Sequence, residues 1–145
     1  MSWTLQTITE EHARPFVPTE GLVKVLAVYD GDTITVAKCM DETWYRFHVR
    51  ILGIDTPEIK TTNAAEKQHG LKARDYLEEL IGNQIVYIAN ICPDKYGGRF
   101  LARVTFIQDD KTVLDIASHM IARGWAVAYD GKKKLEYAAA NYVIQ

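Results

Sequence analysis

The 145-residue chain is long enough for one domain, and a domain of this size buries roughly two thirds of its unfolded surface. Its 48% hydrophobic and 25% charged residues are ordinary for a globular protein, and no stretch approaches the ~20 apolar residues of a membrane helix. The net charge of −2 excludes a general basic surplus, so any binding of a polyanion requires a local basic patch.

The N-terminal segment and the cysteines favour an intracellular protein. Residues 1–20 contain two prolines and lack the apolar segment of a signal peptide, so we expect an N-terminal arm followed by one domain at 21–145. Cys39 and Cys92 are far apart and have no histidine at a metal-binding spacing. We therefore expect both thiols to be reduced, as is usual inside cells.

Three strands joined by tight turns open the predicted domain. Residues 22–29 are apolar and β-branched, and the Asp-Gly pair that follows them is a strong hairpin signal. Residues 32–38 form the second predicted strand and residues 44–54 the third. Alternation along the third strand places Arg50 on the face that points away from the apolar side chains.

Helices and further strands follow. Asn63 and Glu66 form a capping-box signal at the start of the first helix, whose apolar residues recur at helical spacing. The predicted elements after the third strand are a helix that ends at Gly82, strands at 85–91 and 100–106, a second helix at 113–123, an extended segment at 125–129 and a short third helix at 135–142.

The order of these elements predicts the fold. Three consecutive strands, a helix and two further strands match a five-stranded Greek-key barrel of OB type with two to three packed helices, which is an α+β fold that is mainly β. Such barrels commonly present a groove for nucleic acid. The fold alone suggests this class of ligand only by analogy.

Two acidic turns are expected to meet at one end of the barrel, because Asp32 opens the second strand and Asp55 closes the third. Either turn alone has an ordinary explanation, since Asp-Gly makes a hairpin and Asp before Thr-Pro makes an Asx turn. Facing carboxylates repel each other unless a cation lies between them. Oxygen ligands without a nearby His or Cys favour Ca²⁺ or Mg²⁺, and the Thr56 carbonyl can supply a further oxygen.

Arg50 and Arg99 are the basic counterpart of these acids. The usual role of such arginines is a surface ion pair. The functional alternative is a guanidinium fork on phosphate oxygens, which with a cation stabilises the charge that develops during phosphodiester hydrolysis. Glu58 can then take the proton from an attacking water.

Three other features carry weaker signals. The lysines at 132–134 indicate a solvated cationic tail, which adds weak and salt-screened attraction to phosphate. Tyr96 and Tyr129 lie at glycine-flanked turns where they can touch a nucleotide, whereas most other aromatic residues indicate core. The four histidines show no metal or catalytic spacing, and we expect structural or surface roles for them.

Assembled in this order and spacing, these residues resemble the staphylococcal nuclease (thermonuclease) family over about residues 21–131. The motifs that carry the resemblance are Val-Tyr-Asp-Gly-Asp-Thr at 28–33, Val-Arg-Ile-Leu-Gly-Ile-Asp-Thr-Pro-Glu at 49–58, Lys-Tyr-Gly-Gly-Arg at 95–99, Ile-Ala-Arg-Gly-Trp-Ala at 121–126 and Tyr-Asp-Gly at 129–131. The turn before Arg99 has one glycine more than the family's usual Tyr-Gly-Arg turn, at Gly97-Gly98.

The resemblance implies calcium-dependent hydrolysis of DNA and RNA with little sequence specificity, giving products that end in a 3′-phosphate. By position, Asp32, Asp55 and the Thr56 carbonyl would bind Ca²⁺. Arg50 and Arg99 would hold the phosphate and stabilise its transition state.

The resemblance also implies roles around this centre. Glu58 would act on the attacking water, and Asp30 would support the calcium ligands. Lys95, Tyr96 and Tyr129 would line the nucleotide site. The implied partners are DNA and RNA, with single strands or frayed duplex preferred, and no membrane; the protein would be a monomer. The alternative function is a catalytically weak module of the same fold that binds nucleic acid or protein.

Overall fold

The computed structural model describes residues 2–140 and 142. Eight strands and two helices make up this part of the chain. In chain order they are β1 (Gly21–Asp30), β2 (Thr33–Met40), β3 (Thr43–Ile51), β4 (Ile54–Asp55), α1 (Ala64–Ile81), β5 (Ile85–Pro93), β6 (Arg99–Asp109), β7 (Thr112–Asp115), α2 (Ile116–Ala122) and β8 (Val127–Ala128).

Five of the strands close into a barrel. The main sheet has the order β3-β2-β1-β5-β6-β7, and β3 also pairs with β6 in the parallel direction. This parallel pairing joins the two sides of the sheet, so β1, β2, β3, β5 and β6 form the predicted OB-type Greek-key barrel. β7 extends the sheet beyond β6, and β4 pairs with β8 in a separate ribbon. The predicted fold class is confirmed.

Alternation along the strands fills the barrel with branched apolar side chains, and both helices pack apolar side chains against this core. The largest fully buried side chains are Ile34, Ile51, Ile54, Leu77, Ile81, Ile88, Ile116, Met120, Val25, Val36, Val49 and Val86. Burying one such side chain contributes about 1.5–3 kcal/mol relative to leaving it exposed. This core holds the strand ends that carry the polar residues described below.

The third strand is shorter than the sequence predicts. β3 ends at Ile51, whose N–H donates to the Asp32 carbonyl at 2.8 Å. Gly53 then adopts φ of +92°, a left-handed conformation that favours glycine and turns the chain. The two residues that follow form β4 and pair with β8. The predicted strand is therefore two strands with a turn between them, and the turn redirects Asp55.

The second predicted helix begins three residues later than expected. Its first turn is instead β7, which pairs with β6 through Ile107 and Val113. Asp115 caps the helix, because its carboxylate accepts from the Ser118 N–H at 3.1 Å. Pairing with β6 overrides the helical spacing of the apolar residues at 113–116.

The third predicted helix, at 135–142, is wrong for its described residues. The N–H groups of Ala139 and Ala140 both donate to the Glu136 carbonyl at 3.0 Å, which makes a single turn. Asn141 lies outside the described residues. Within the described ranges, neither helix is long and apolar enough to span a bilayer.

The N-terminal segment lies against the barrel at two points. Phe16 packs edge-on against Phe100 with ring centroids 6.4 Å apart, and Glu20 accepts from the Asn90 N–H at 2.6 Å. Leu5 is 94% exposed, so it does not hold the segment in place. Trp3 packs against His12 of the same segment.

Candidate functional site

Two buried carboxylates form the centre of the site. Asp32 ends the β1–β2 turn and is 6% exposed, and Asp55 ends β4 and is 2% exposed. The Thr56 hydroxyl donates to the Asp32 carboxylate at 3.2 Å, which ties the two acidic turns together. As the sequence predicts, the β1–β2 turn and the segment after β3 meet at one end of the barrel.

Arg50 contacts both carboxylates. Its Nη2 lies 3.4 Å from Asp32 Oδ2 and 3.5 Å from Asp55 Oδ1, and its side chain is 12% exposed. The register explains this position, because Arg50 pairs with Thr33, directly after Asp32. The guanidinium also lies 5.2 Å from the ring centroid of Tyr129, within the range of a cation–π contact.

Lys134 is a second cation at the same carboxylates, and the sequence analysis missed it. Its Nζ lies 3.0 Å from Asp55 Oδ1 and also contacts the Glu58 carboxylate. The prediction of a solvated lysine tail is therefore wrong for this residue. A run of three lysines carries no signal that distinguishes the one that folds back into the site.

Burial is the largest influence on the pKa of two acids at the centre, Asp30 and Asp55. Burial raises the pKa of Asp30 to about 7, and the neighbouring Asp32 charge contributes in the same direction. Burial also raises the pKa of Asp55, while the hydrogen bond and charge of Lys134 act in the opposite direction. The centre therefore favours bound positive charge, which Arg50 and Lys134 supply in this structure.

The Glu58 loop is held against α1. The Asn63 side chain caps the helix as predicted, accepting from the Glu66 N–H at 3.1 Å. The Glu66 carboxylate, however, accepts from the Glu58 N–H at 3.3 Å instead of closing the capping box. Gly70 allows the loop to approach, because a Cβ there would lie 2.7 Å from the Pro57 carbonyl oxygen. A glycine inside a predicted helix was the available signal for this contact.

Arg99 lies beside the centre but is not bonded to its aspartates in this structure. It opens β6, contacts the Asp94 carboxylate through Nε, and lies 5.0 Å from the Tyr96 ring centroid. Gly98 adopts φ of +88°, so the glycine pair turns the chain tightly before β6. Asp94, with a side chain 5% exposed, is a partner that the sequence analysis did not identify.

A groove of about 1090 Å³ connects these residues. It contains Lys95, Tyr96 and Tyr129 of the predicted nucleotide site. Six cationic and four acidic side chains line it: Arg50, Lys60, Arg74, Lys95, Arg99 and Lys134, against Asp30, Asp32, Glu58 and Asp94. The groove is thus a local basic patch on a chain whose net charge is −2.

The donor set at the centre fits a hard cation. Asp32, Asp55 and the Thr56 backbone offer oxygen atoms, which suit Ca²⁺ or Mg²⁺ better than zinc. Among residues 2–140 and 142, no three His, Cys, Asp or Glu side chains come together in a metal-binding arrangement.

Comparison with known proteins finds a matching family and related sequences. A sequence profile of the family described as "Staphylococcal nuclease homologue" matches residues 48–143. An uncharacterized protein of Methanocaldococcus jannaschii, MJ1439, is 34% identical over 126 residues, which cover 73% of this chain and 58% of that protein.

Several relatives carry enzyme names. The probable endonuclease LCL3 of Yarrowia lipolytica is 29% identical over 100 residues, which cover 68% of this chain and 42% of that protein. The thermonuclease of Staphylococcus hyicus is 36% identical over 67 residues, which cover 46% of this chain and 37% of that protein. The chain thus spans 58% or less of the length of each of these relatives. With the profile match over residues 48–143 and the OB-type barrel, the chain belongs to the staphylococcal nuclease homologue family.

Proposed function

We propose that this domain hydrolyses phosphodiester bonds of DNA and RNA with little sequence specificity, in a Ca²⁺-dependent reaction that leaves 3′-phosphate ends. The observation that carries the proposal is the contact of Arg50 with the two buried aspartates, beside a groove lined by cations. A buried acid pair with an arginine supplies the groups needed to hold both a cation and a phosphate.

Asp32, Asp55 and the Thr56 carbonyl would hold the calcium ion. When bound, the ion would supply positive charge that stabilises the transition state at the phosphoryl oxygens. Burial of both carboxylates supports this role, since weak competition from water strengthens their attraction for a cation.

Arg50 and Arg99 would bind the phosphate. Arg50 is held by carboxylates and by the Tyr129 ring, so its guanidinium is oriented before substrate arrives. Arg99 lines the same groove from the β6 side and must exchange at least part of its contact with Asp94 for phosphate oxygens. A planar guanidinium can donate two parallel hydrogen bonds to such an anion.

Glu58 would accept the proton of the attacking water. Its side chain is 46% exposed and contacts Lys134, so it lies within reach of solvent at the edge of the centre. α1 fixes the Glu58 backbone through Glu66 and Gly70, which limits where the carboxylate can lie. Asp30 supports the centre by accepting from the Asp32 N–H at 3.1 Å.

Lys95, Tyr96 and Tyr129 would line the nucleotide on the β6 side of the groove. Tyr96 is 59% exposed, and Lys95 and Arg99 lie 5.3 and 5.0 Å from its ring centroid. An exposed ring surrounded by cations can stack on any base while the cations attract phosphate, which accounts for low sequence specificity. Single strands and frayed duplex ends expose bases for such stacking, so we expect them to be preferred by a monomeric domain.

The direct test is cleavage of plasmid DNA and of RNA with calcium or with a chelator. We expect cleavage only with calcium, 3′-phosphate ends, and strong loss of activity in Arg50→Ala. Arg46→Ala is the matched control, because Arg46 is an exposed arginine on the same strand. Equal cleavage in chelator, or full activity in Arg50→Ala, would contradict the proposal.

A catalytically weak binding module is the second candidate. It is favoured by the contacts in which Lys134 neutralises Asp55 and Glu58 and Asp94 pairs with Arg99. The two functions differ in their response to the metal. A nuclease should show a calcium-dependent rise in melting temperature together with cleavage, whereas a binding module should retain nucleic acid in chelator without cutting it in calcium.

A further inference from the structure

The pairing registers fix the direction in which the groove crosses the barrel. Asp30 pairs with Thr33, Thr33 pairs with Arg50, and Arg50 pairs with Leu101. This row runs from the end of β1 through β2 and β3 to β6. Neighbouring strands lie roughly 4.8 Å apart, so the route from β1 through β2 and β3 to β6 covers roughly 14 Å of the barrel surface. Arg50 lies inside the row, and groove residues lie on both sides of it.

On the β1 side, a β-bulge presents an aromatic ring to the groove. Val28 pairs with Ile34 and Asp30 pairs with Thr33, so Tyr29 is the extra residue of the bulge. Bulges of this kind redirect a side chain and are frequent beside active sites. Tyr29 lines the groove and is 56% exposed, nearly as much as Tyr96 on the other side.

Two cations accompany this ring. Lys60 Nζ lies 5.9 Å from the Tyr29 ring centroid, and Arg74 of α1 lines the same groove. Lys60 is exposed, and the Arg74 side chain is 34% exposed and paired with Asp75 at 3.0 Å. The β1 side thus repeats the combination found around Tyr96, an exposed tyrosine with nearby cations.

From this repetition we infer a second nucleotide subsite, formed by Tyr29, Lys60 and Arg74. It would stack a base on Tyr29 and attract a phosphate to Lys60 and Arg74. It rests on the proposed function, because the strand is placed by the scissile phosphate at Arg50. The ligand is a single-stranded polynucleotide that crosses the barrel, with one nucleotide on each side of Arg50.

Length dependence follows from the span of the groove. A dinucleotide held at Arg50 and Tyr96 does not reach Tyr29 on β1. A longer strand occupies both sides, so only longer ligands gain affinity from Tyr29. Stacking on an aromatic ring tolerates any base, so the gain does not depend on sequence.

The test measures binding of fluorescein-labelled oligothymidylates of two, four and eight nucleotides by anisotropy in chelator. We expect Tyr29→Ala to weaken binding of the eight-nucleotide ligand about tenfold and to leave the dinucleotide unchanged. Tyr29→Phe keeps the ring and should bind like wild type. Lys60→Ala should reduce the slope of log Kd against log salt by roughly 0.7 for the longest ligand.

Matched controls lie outside the groove. Tyr45→Ala removes a tyrosine of β3 that is 46% exposed, and Lys111→Ala removes an exposed lysine of the β6–β7 turn. Neither should change the length dependence. The subsite proposal is overturned if Tyr29→Ala loses affinity equally for oligothymidylates of every length, or loses none at any length.

Calcium-dependent cleavage, measured in parallel, separates the two proposals. If wild type does not cleave but Tyr29→Ala shows the length-dependent loss, the nuclease proposal fails and the subsite stands. If cleavage is intact and Tyr29→Ala binds every length like wild type, the subsite alone fails.

Discussion

Arg50 and Arg99 face the same groove, but the chain holds them in different ways. Arg50 is the second-to-last residue of the barrel strand β3, with a side chain 12% exposed, and its two acidic partners belong to the centre of the site. Arg99 is the first residue of β6 after a glycine pair, with a side chain 28% exposed. Its acidic partner, Asp94, belongs to the loop that carries Arg99 itself.

Because their environments differ, the two arginines should contribute differently to the stability of the fold. Removing Arg50 leaves two buried carboxylates with one cationic partner, Lys134, at Asp55. Removing Arg99 leaves one carboxylate, that of Asp94, without its cation, and this side chain is only 5% exposed. A change at Arg50 should therefore destabilise the fold more than a change at Arg99, because it leaves two buried carboxylates short of a partner instead of one. Both changes should impair the reaction.

The largest effect is expected for Arg50→Ala. Breaking a buried ion pair by removing one partner costs about 3 kcal/mol or more, because the remaining charge is left in a poorly solvated place. We therefore expect urea unfolding in chelator to show a loss of about 3 kcal/mol, and cleavage to fall by about 10²–10³-fold or more. Arg46→Ala should change neither. An Arg50→Ala protein as stable as wild type would show that Arg50 does not stabilise the fold by pairing with the two buried aspartates.

Arg99→Ala should lose about 10²-fold in kcat, as expected when one donor to the transition state is removed. Its stability should fall by about 1–3 kcal/mol, because the buried Asp94 carboxylate keeps its charge without this partner. Adding Asp94→Asn to Arg99→Ala should restore the stability of the fold, but cleavage should stay as low as in Arg99→Ala. If the double variant regains activity, Arg99 acts through Asp94 and does not bind phosphate.

The site residues that lie on strands or at their ends, such as Arg50 and Asp32, could be predicted from the sequence for a physical reason. Side chains alternate strictly along β3, so the face and the end of the barrel that Arg50 occupies follow from counting. The hairpin signal fixed the turn before Asp32 in the same way. Local chemistry and local spacing were sufficient for these positions.

The rest depends on contacts between distant parts of the chain. Lys134 contacts Asp55, which lies 79 positions earlier in the sequence. This contact depends on the path that the chain takes after β8. The Glu66 carboxylate accepts from the Glu58 N–H instead of completing the capping box, because the loop passes over α1. β7 replaces a helical turn because β6 offers a partner. Apart from Gly70, which marks the place where the Glu58 loop crosses α1, these contacts leave no signal in their own segments.

Gly70→Ala tests how α1 positions the Glu58 loop. The new Cβ would lie 2.7 Å from the Pro57 carbonyl oxygen and 3.0 Å from the Glu58 one, so the loop must move. Alanine gains about 1 kcal/mol of helix propensity over glycine, which offsets part of the strain. We expect kcat to fall by about tenfold, the loss typical when a catalytic group is slightly misplaced, with a small change in melting temperature. Lys72→Ala, an exposed site on α1, is the control.

Lys134→Gln is expected to have the smallest effect on the fold and the clearest one on the metal. Lys134 is 36% exposed, so its ion pairs contribute at most about 1 kcal/mol to stability in chelator. Its ammonium lies at the Asp55 carboxylate that calcium would use, so the lysine and the metal compete for the same negative charge. Removing it should tighten the calcium Kd about fivefold, which equals about 1 kcal/mol of relieved competition. Isothermal titration measures this directly, with Lys132→Gln as the control from the same lysine run. An unchanged or weaker Kd would show that Lys134 does not compete with the metal and that the strand-borne carboxylates alone set the affinity.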